Sequence, residues 1–152
     1  KEDFLYSEID ESIKAYGTFH HRHKVEMETY LGVTIFFSPH LVPMKRGILS
    51  SIYIDNTTSL TQLELDTLFS SYYESSKFVD YIPGLKMPST RHVSGSNKCV
   101  VTAKVFENSS KIVVFSSIDN LIKGASGQAI QSMNIMCGFD EALGLPLSGT
   151  YL

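Results

Sequence analysis

KCVVTAKVFE (residues 98–107) and KIVVFSSI (residues 111–118) are two apolar stretches separated by Asn108-Ser109-Ser110. Valine, isoleucine and phenylalanine favour extended strands, whereas asparagine and serine favour turns. Two strand-forming runs joined by such a short polar segment predict an antiparallel β-hairpin. The hairpin places a β-sheet in the second half of the chain.

Further strands and helices are predicted on either side of the hairpin. The predicted strands cover residues 14–21, 33–38, 48–55 and 78–82, and another short strand begins at His92-Val93. The predicted helices cover residues 24–31 before Gly32, residues 60–75 after a capping box at Ser59-Leu60-Thr61-Gln62, and residues 119–138. Because helices and strands do not alternate regularly, the predicted fold class is α+β, with a mixed, mainly antiparallel sheet and helices on one face.

Composition excludes several functional classes. A chain of 152 residues that is 43% hydrophobic and 19% charged is typical of a single globular domain. Its net charge of −3 gives no bulk electrostatic attraction to nucleic acid. No apolar run approaches the ~20 residues that cross a bilayer. We therefore expect neither nucleic acid nor a membrane as a partner.

The first residues and the cysteines bear on whether the chain is part of a longer protein and on its cellular compartment. It begins with Lys1-Glu2-Asp3-Phe4, without an initiator methionine or a signal-peptide pattern, which predicts a piece of a longer protein. Its two cysteines, Cys99 and Cys137, lack paired metal-ligand spacing. We interpret both as buried small hydrophobic residues in a reducing compartment, and we expect a cytoplasmic location.

The side chains best suited to chemistry are His20-His21-Arg22-His23, followed by Glu26. Histidine titrates near neutral pH and arginine adds a permanent cation, so this cluster is typical of an acid–base or anion-binding site. His21 is the candidate general acid or base, and Glu26 can orient either His21 or His23 through a ring N–H. The alternative is a set of structural or surface histidines beside a solvated glutamate. No other histidine or cysteine has the spacing of a zinc ligand, so no metal site is predicted.

Three polar turns are further candidates for ligand contacts. Arg46, in Lys45-Arg46-Gly47, suits a phosphate or carboxylate, although a solvated basic loop is an equal alternative. Gly95-Ser96-Asn97-Lys98 is a weaker candidate. Asp119-Asn120 is either a helix N-cap or an amide presented to a ligand at the positive end of a helix. Gly124 and Gly127 leave the start of that helix without bulky side chains. This suggests that its backbone closely approaches a ligand or another element.

Four segments in a fixed order carry a family resemblance. AY at residues 15–16 leads into HRHKVE at residues 21–26, and FSPHLVPMKRGIL follows at residues 37–49. VSGSN lies at residues 93–97 and DNLIKGASGQAIQSMN at residues 119–134. In this order and spacing they resemble the C-terminal portion of N-acetyl-gamma-glutamyl-phosphate reductases. The resemblance implies an α+β fold like the second domain of the glyceraldehyde-3-phosphate and aspartate-semialdehyde dehydrogenases.

The resemblance also implies a reaction, the NADPH-dependent reduction of N-acetylglutamyl 5-phosphate to the semialdehyde in arginine biosynthesis. In the family, a cysteine thiolate attacks this small acyl phosphate, and a histidine assists the thiol and then supplies a proton. His21 matches the first histidine of the family's His-Arg-His and is the implied catalytic residue. The other implied roles are support of catalysis by Tyr16, His23 and Glu26, substrate binding by Arg22, Arg46 and Asn97, and cofactor binding by Asn120 and Gly124.

The departures from the family pattern limit what these residues can do alone. Val25 stands where the family often has proline. Neither the cysteine motif of the family's N-terminal domain, which is similar to Ser-Asn-Pro-Gly-Cys, nor a glycine-rich dinucleotide loop occurs here. We therefore expect the chain to be inactive by itself and to self-associate as a homodimer or homotetramer. We expect residues 1–118 to form a substrate-binding and dimerisation domain, and residues 119–152 to form a helix and tail that pack on an NADP-binding domain.

Two alternatives stay open from the sequence. One is an aminoadipyl-phosphate reductase of lysine biosynthesis, because no motif in this chain distinguishes the two substrates. The other is a non-catalytic interaction domain that has the same fold.

Overall fold

The computed structural model describes residues 10–18, 20–84, 86–106 and 110–149. The chain forms two compact units, Lys1–Lys45 and Arg46–Leu152, here called the N-terminal and C-terminal units. Residues 119–149 lie within the C-terminal unit, together with its sheet. The boundary predicted after residue 118 assumes that residues 119–152 pack on an NADP-binding domain outside this chain. That packing stays a prediction.

The N-terminal unit contains one helix and a short two-stranded ladder. Strand β1 (Lys14–Ala15) pairs antiparallel with β2 (His40–Leu41), and helix α1 spans Arg22–Leu31. Gly32 ends α1 in the left-handed conformation, with φ of 66°, and its N–H donates to the carbonyl oxygen of Glu28. The predicted helix and its glycine cap are therefore confirmed, whereas the strand predicted over residues 14–21 is reduced to β1.

The strand predicted over residues 33–38 is wrong. These residues form no regular strand, and Val33 and Phe36 are exposed. The backbone N–H of Ile35 donates to a carboxylate oxygen of Glu28 at 3.0 Å instead of to a neighbouring strand. β-Branched and aromatic residues favour a strand only where another strand accepts the backbone hydrogen bonds, and the described part of this unit supplies none here.

The C-terminal unit is built on a four-stranded sheet with the order β3-β6-β5-β4. The strands are β3 (Ile48–Asp55), β4 (Val79–Tyr81), β5 (Cys99–Phe106) and β6 (Lys111–Ile118). β6 pairs antiparallel with both β3 and β5, and β4 pairs parallel with β5. The register of β5 and β6 ends with Phe106 opposite Lys111, which confirms the predicted hairpin, while residues 107–109 of its turn lie outside the described residues. The mixed, mainly antiparallel sheet of the predicted α+β fold is confirmed.

Helix α2 (Gln62–Tyr73) covers one face of this sheet. Leu65 is buried in a cluster with four sheet residues, which are Val101, Ala103, Ile112 and Val114. The capping box is formed by Thr61 and Glu64, because Thr61 Oγ1 accepts the Glu64 N–H while the Glu64 side chain accepts the Thr61 N–H. The prediction of Ser59 as the first residue of the box is wrong, since Ser59 has φ of 55° and precedes the helix.

The chain that leads into β5 also packs on the sheet. A single helical turn, α3 (Thr90–Val93), packs on β6, and Val93 is completely buried. The short strand predicted at His92-Val93 is wrong, because Ser89 caps this turn by accepting the Arg91 N–H. A local side-chain cap therefore outweighs the strand preference of valine.

The helix predicted over residues 119–138 is present, but its first turn is unusually wide. A π-helical turn (Ile122–Ser126) precedes α4 (Gly127–Met136). In this turn backbone N–H groups donate to the carbonyl oxygen five residues earlier. Gly124 donates to Asp119, and Ser126 donates to Leu121. Gly138, with φ of 73°, follows α4 as predicted. Such wide turns occur often at functional sites.

Replacing Leu65 with alanine tests the core. We expect Leu65→Ala to lower the free energy of unfolding by about 2–4 kcal/mol, because it removes buried methyl groups and leaves a cavity against the sheet. Leu63→Ala on the same helix is the control, since the Leu63 side chain is exposed. Urea unfolding followed by circular dichroism measures both variants, and equal losses would contradict the assignment of Leu65 to the core.

Candidate functional site

The histidine cluster lies at the start of α1 in the N-terminal unit. His21 is the N-cap of α1, and its Nδ1 accepts the backbone N–H of His23 at 3.3 Å. The His21 ring meets the rings of Tyr16 and Phe37 edge-on, with centroid separations of 5.5 and 5.2 Å. The His23 ring lies 4.8 Å away. The structure therefore brings Tyr16, His21 and His23 together, and it adds Phe37.

The other two residues predicted for this cluster behave differently. Arg22 is exposed, and its Nε donates to Nε2 of the His23 ring at 3.4 Å. Glu26 is exposed on α1 and has no hydrogen-bond or ion-pair partner in the part of the chain that the structure describes. The orienting role of Glu26 and the substrate contact of Arg22 stay predictions.

The second cluster surrounds the buried carboxylate of Asp119 in the C-terminal unit. Asp119 Oδ1 accepts the N–H groups of Leu121 and Ile122, as expected for an N-cap. Asp119 Oδ2 accepts the Gly95 N–H at 2.8 Å and the Arg46 guanidinium at 3.2 Å. Burial alone would raise the pKa of this carboxyl group, but these donors and the arginine charge outweigh burial and hold the pKa below its usual range.

Arg46 and Asn120 meet in this cluster although they lie far apart in the sequence. Asn120 Oδ1 accepts the backbone N–H of Gly47 at 2.6 Å. Gly47 has φ of 116°, and a Cβ there would lie 2.7 Å from the Thr90 side chain, so the turn requires glycine. The Arg46 side chain remains 42% exposed. Arg46 is thus held by the buried Asp119 carboxylate and still exposes part of its guanidinium to solvent, where an anion can bind.

Asn97 and Gly124 take positions that packing within the chain explains. Asn97 is completely buried, and its Nδ2 donates to Gln131 Oε1 at 3.2 Å. Its Oδ1 has no hydrogen-bond partner among the described residues and faces Gly127, where a Cβ would lie 2.2 Å away. Gly124 is exposed in the π-helical turn, and a Cβ there would lie 3.3 Å from Ile118 Cδ1. The substrate contact of Asn97 and the cofactor contact of Gly124 stay predictions.

Two important positions were not predicted in their observed roles. The sequence indicates only a cap at Asp119, but its carboxylate also joins Arg46 to Gly95. The available signal is its position directly before a helix. Phe37 packs on His21, and the sequence contains no local signal for this contact because sixteen positions separate them. Contacts at such separation depend on how the chain folds back.

The two cysteines differ in burial. Cys99 is partly buried, and burial raises the pKa of its thiol above the ordinary range. Cys137 is exposed after the last turn of α4, so the prediction that it is a buried hydrophobic residue is wrong. Among the described residues no group of three or more histidine, cysteine or acidic side chains is arranged to hold a metal ion. None of their helices is both long enough and apolar enough to span a bilayer.

Alkylation tests this difference between the thiols. We expect iodoacetamide to modify Cys137 well before Cys99 at neutral pH, because the reactive species is an accessible thiolate. Mass spectrometry of Cys137→Ser and Cys99→Ser assigns the fast and slow phases. Faster modification of Cys99 would contradict its burial.

Substitution of Asp119 tests the second cluster. We expect Asp119→Asn to lower the free energy of unfolding by about 2 kcal/mol or more at pH 7, because an amide NH₂ then faces buried N–H donors. The exposed pair of Asp55 and Lys111 supplies the control, Asp55→Asn, for which we expect less than about 1 kcal/mol. Urea unfolding measures both variants.

The same variant has a defined pH dependence. A lowered pKa in the folded state means that Asp119 contributes stability above its unfolded-state pKa of about 3.9, and that this contribution is lost as the pH falls through the folded pKa. The difference between wild type and Asp119→Asn should therefore shrink in acid below that value. A difference that is constant between pH 7 and pH 3 would contradict the ionised state of Asp119.

Most of the chain matches a known protein family. Residues 1–120 match the family described as semialdehyde dehydrogenase, dimerisation domain. The chain is 49% identical over 152 residues to the N-acetyl-gamma-glutamyl-phosphate reductase of Geobacter sulfurreducens, covering 95% of this chain and 44% of that protein. For the enzyme of that name in Alkaliphilus metalliredigens the identity is 44% over 147 residues, covering 93% and 42%.

A more distant relative shows the same pattern. The N-acetyl-gamma-glutamyl-phosphate reductase of Campylobacter jejuni subsp. jejuni is 42% identical over 151 residues, covering 95% of this chain and 44% of its own length. This chain thus spans less than half the length of the curated relatives that it matches. The family match covers most of the described residues, including both clusters up to Asn120. The chain belongs to the semialdehyde dehydrogenase dimerisation-domain family.

Proposed function

We propose that this chain is the part of an N-acetyl-gamma-glutamyl-phosphate reductase that carries the catalytic histidine and the subunit contacts. The whole enzyme would convert N-acetyl-L-glutamyl 5-phosphate to N-acetyl-L-glutamate 5-semialdehyde with NADPH, in arginine biosynthesis. The observation that carries the proposal is the 42–49% identity to reductases of this name over nearly the whole chain. Because the chain spans under half of those proteins, we propose that it is inactive alone.

His21 is the residue that moves a proton. Reduction of an acyl group to an aldehyde places negative charge on the carbonyl oxygen, and a nearby imidazole N–H can neutralise it. The ring contacts of Tyr16 and Phe37 support this role, because they limit the orientations open to the imidazole. His23 supports it through the backbone N–H that meets His21 Nδ1.

Arg46 is the residue best placed to bind the substrate anion. Its Nη1 is held by the carboxylate of Asp119, and the exposed part of the planar guanidinium can still donate to a phosphate or carboxylate. Arg22 is a second candidate because it is exposed. Asn97 is the weakest candidate for a substrate contact, since its side chain is buried against Gln131.

The residues near the start of α4 fit one end of a nicotinamide cofactor. Asn120 uses its Oδ1 to accept the Gly47 N–H, which fixes the amide and leaves its NH₂ group to donate to a ligand carbonyl. Gly124 is exposed one turn further on, where the backbone is accessible. When bound, NADPH would supply the hydride, and Asn120 would orient its carboxamide group.

We infer self-association through the apolar surface of β3. This strand lies at one edge of the sheet, and Leu49, Ile52, Tyr53 and Ile54 are exposed along it. An exposed apolar edge strand is typical of a surface that another chain covers. We propose a homodimer or homotetramer that uses this surface. A cytoplasmic location agrees with the free state of both cysteines.

Replacement of His21 tests the proposed function. In the full-length protein, we expect His21→Ala to lower kcat by 10²- to 10⁴-fold, because general acid–base catalysis typically contributes that much. The assay follows NADPH formation from N-acetyl-L-glutamate 5-semialdehyde, phosphate and NADP⁺. His20→Ala is the matched control, and it should retain wild-type turnover because His20 has no assigned role.

Two results would contradict the proposal. One is wild-type turnover by His21→Ala in the full-length protein. The other is NADPH-dependent turnover by residues 1–152 alone, because these residues contain neither a family-like nucleophile motif nor a dinucleotide loop. Absence of any activity in the wild-type full-length protein with this substrate would exclude the reductase itself.

A further inference from the structure

We propose that Gly17 and Phe37 are positioning residues for His21, and that they hold its imidazole as the tautomer with a proton on Nε2. Neither residue touches the reacting atoms in this proposal. It rests on the proposed function, because it concerns the histidine assigned there to proton transfer.

The first observation is the hydrogen bond that begins α1. The backbone N–H of His23 donates to Nδ1 of His21 at 3.3 Å. A ring nitrogen that accepts a hydrogen bond carries no proton, so a neutral imidazole in this arrangement is protonated on Nε2. The N-cap position of His21 therefore selects the tautomer.

The second observation is the close approach of Gly17 to the ring. Gly17 has φ of 59°, and a Cβ added to it would lie 3.0 Å from Cδ2 of His21. Cδ2 is bonded to Nε2, so a methyl group on residue 17 would push the part of the ring that carries the working nitrogen. Glycine is needed here both for the left-handed backbone and for contact with His21.

The third observation is the edge-on contact between Phe37 and His21. Their ring centroids are 5.2 Å apart and their planes are inclined by 72°. Tyr16 makes a similar contact at 5.5 Å and 69°. Two aromatic rings, the Gly17 backbone and the cap hydrogen bond thus restrain an imidazole that is only partly buried.

These restraints favour one chemical role for His21. As the Nε2–H tautomer it donates a hydrogen bond to a developing oxyanion. The ring gives up a proton only from its doubly protonated form, in which Nδ1 also carries a proton and the cap hydrogen bond is broken. To accept a proton at Nε2, the neutral ring would first have to move its proton to Nδ1 and break the cap. The capped, neutral ring of His21 is therefore set to donate a hydrogen bond to the carbonyl oxygen.

The first test compares two glycines of the N-terminal unit in the full-length enzyme. We expect Gly17→Ala to lower kcat by about 10- to 100-fold with little change in KM, because small misplacements of a catalytic group have effects of this size. Gly32→Ala is the matched control, since Gly32 also has positive φ but no atom within 4 Å of an added Cβ. Equal losses in the two variants would show backbone strain alone and would overturn the role of Gly17.

The second test compares neighbouring phenylalanines and reads the tautomer directly. Phe37→Leu should lower kcat several-fold, whereas Phe36→Leu should not, because Phe36 is fully exposed. In protein labelled with ¹⁵N-histidine, the neutral His21 ring should show an unprotonated Nδ1 in the wild type and a mixture of tautomers in Gly17→Ala. A dominant Nδ1–H form in the wild type would overturn the proposal.

The outcomes separate this proposal from the proposed function. If His21→Ala abolishes turnover while Gly17→Ala and Phe37→Leu remain fully active, the positioning role fails and the reductase stands. If His21→Ala is fully active, the proton-transfer role itself fails, whatever tautomer the spectra show.

Discussion

The buried carboxylate of Asp119 is the interaction on which the C-terminal unit depends. It receives four donors from three separate parts of the chain, which are the segment before β3, the turn before β5 and the first helical turn after β6. A buried charge is tolerated only when it is fully paired, so these three segments must meet in one arrangement. The strands supply the frame, and the carboxylate fixes the loops at one end of it.

This constraint also fixes the positions of two candidate site residues. Arg46 and Asn120 are far apart in the sequence, yet Asp119 and the adjacent Asn120 amide hold the segment at Arg46-Gly47 in place. The wide π-helical turn that follows Asp119 brings Gly127 against the buried side chain of Asn97. The chain thus uses one capped helix start both to close its packing and to present an arginine and an amide.

In the N-terminal unit, a histidine rather than a carboxylate caps the start of a helix. His21 serves as the cap of α1, so the same ring that is proposed to transfer a proton also satisfies a backbone donor. Gly17 and Phe37 restrict the ring from other sides. A histidine held in this way loses rotational freedom before any ligand binds, which is the general requirement for an efficient proton donor.

Local sequence preferences were sufficient for much of the fold. The β3 and β6 strands match their predicted bounds, and the end of α1 at Gly32 matches as well, because backbone conformation and capping are local properties. Predictions failed where a partner was needed. Residues 33–38 have strand-forming side chains but no strand beside them, and Cys137 is apolar enough for a core but lies beyond the end of α4.

For the candidate site residues, too, the sequence indicates the side chains and the tertiary structure sets their contacts. The sequence indicates His21, Arg46 and Asn120 as candidates, since side-chain chemistry and spacing can be read from the order of residues. The contacts of Phe37 with His21 and of Arg46 with Asp119 depended on the folded chain, because they join positions that only tertiary packing brings within a few ångströms. Sequence therefore specified which groups are present, whereas burial and hydrogen bonding across distant segments set their orientation and charge.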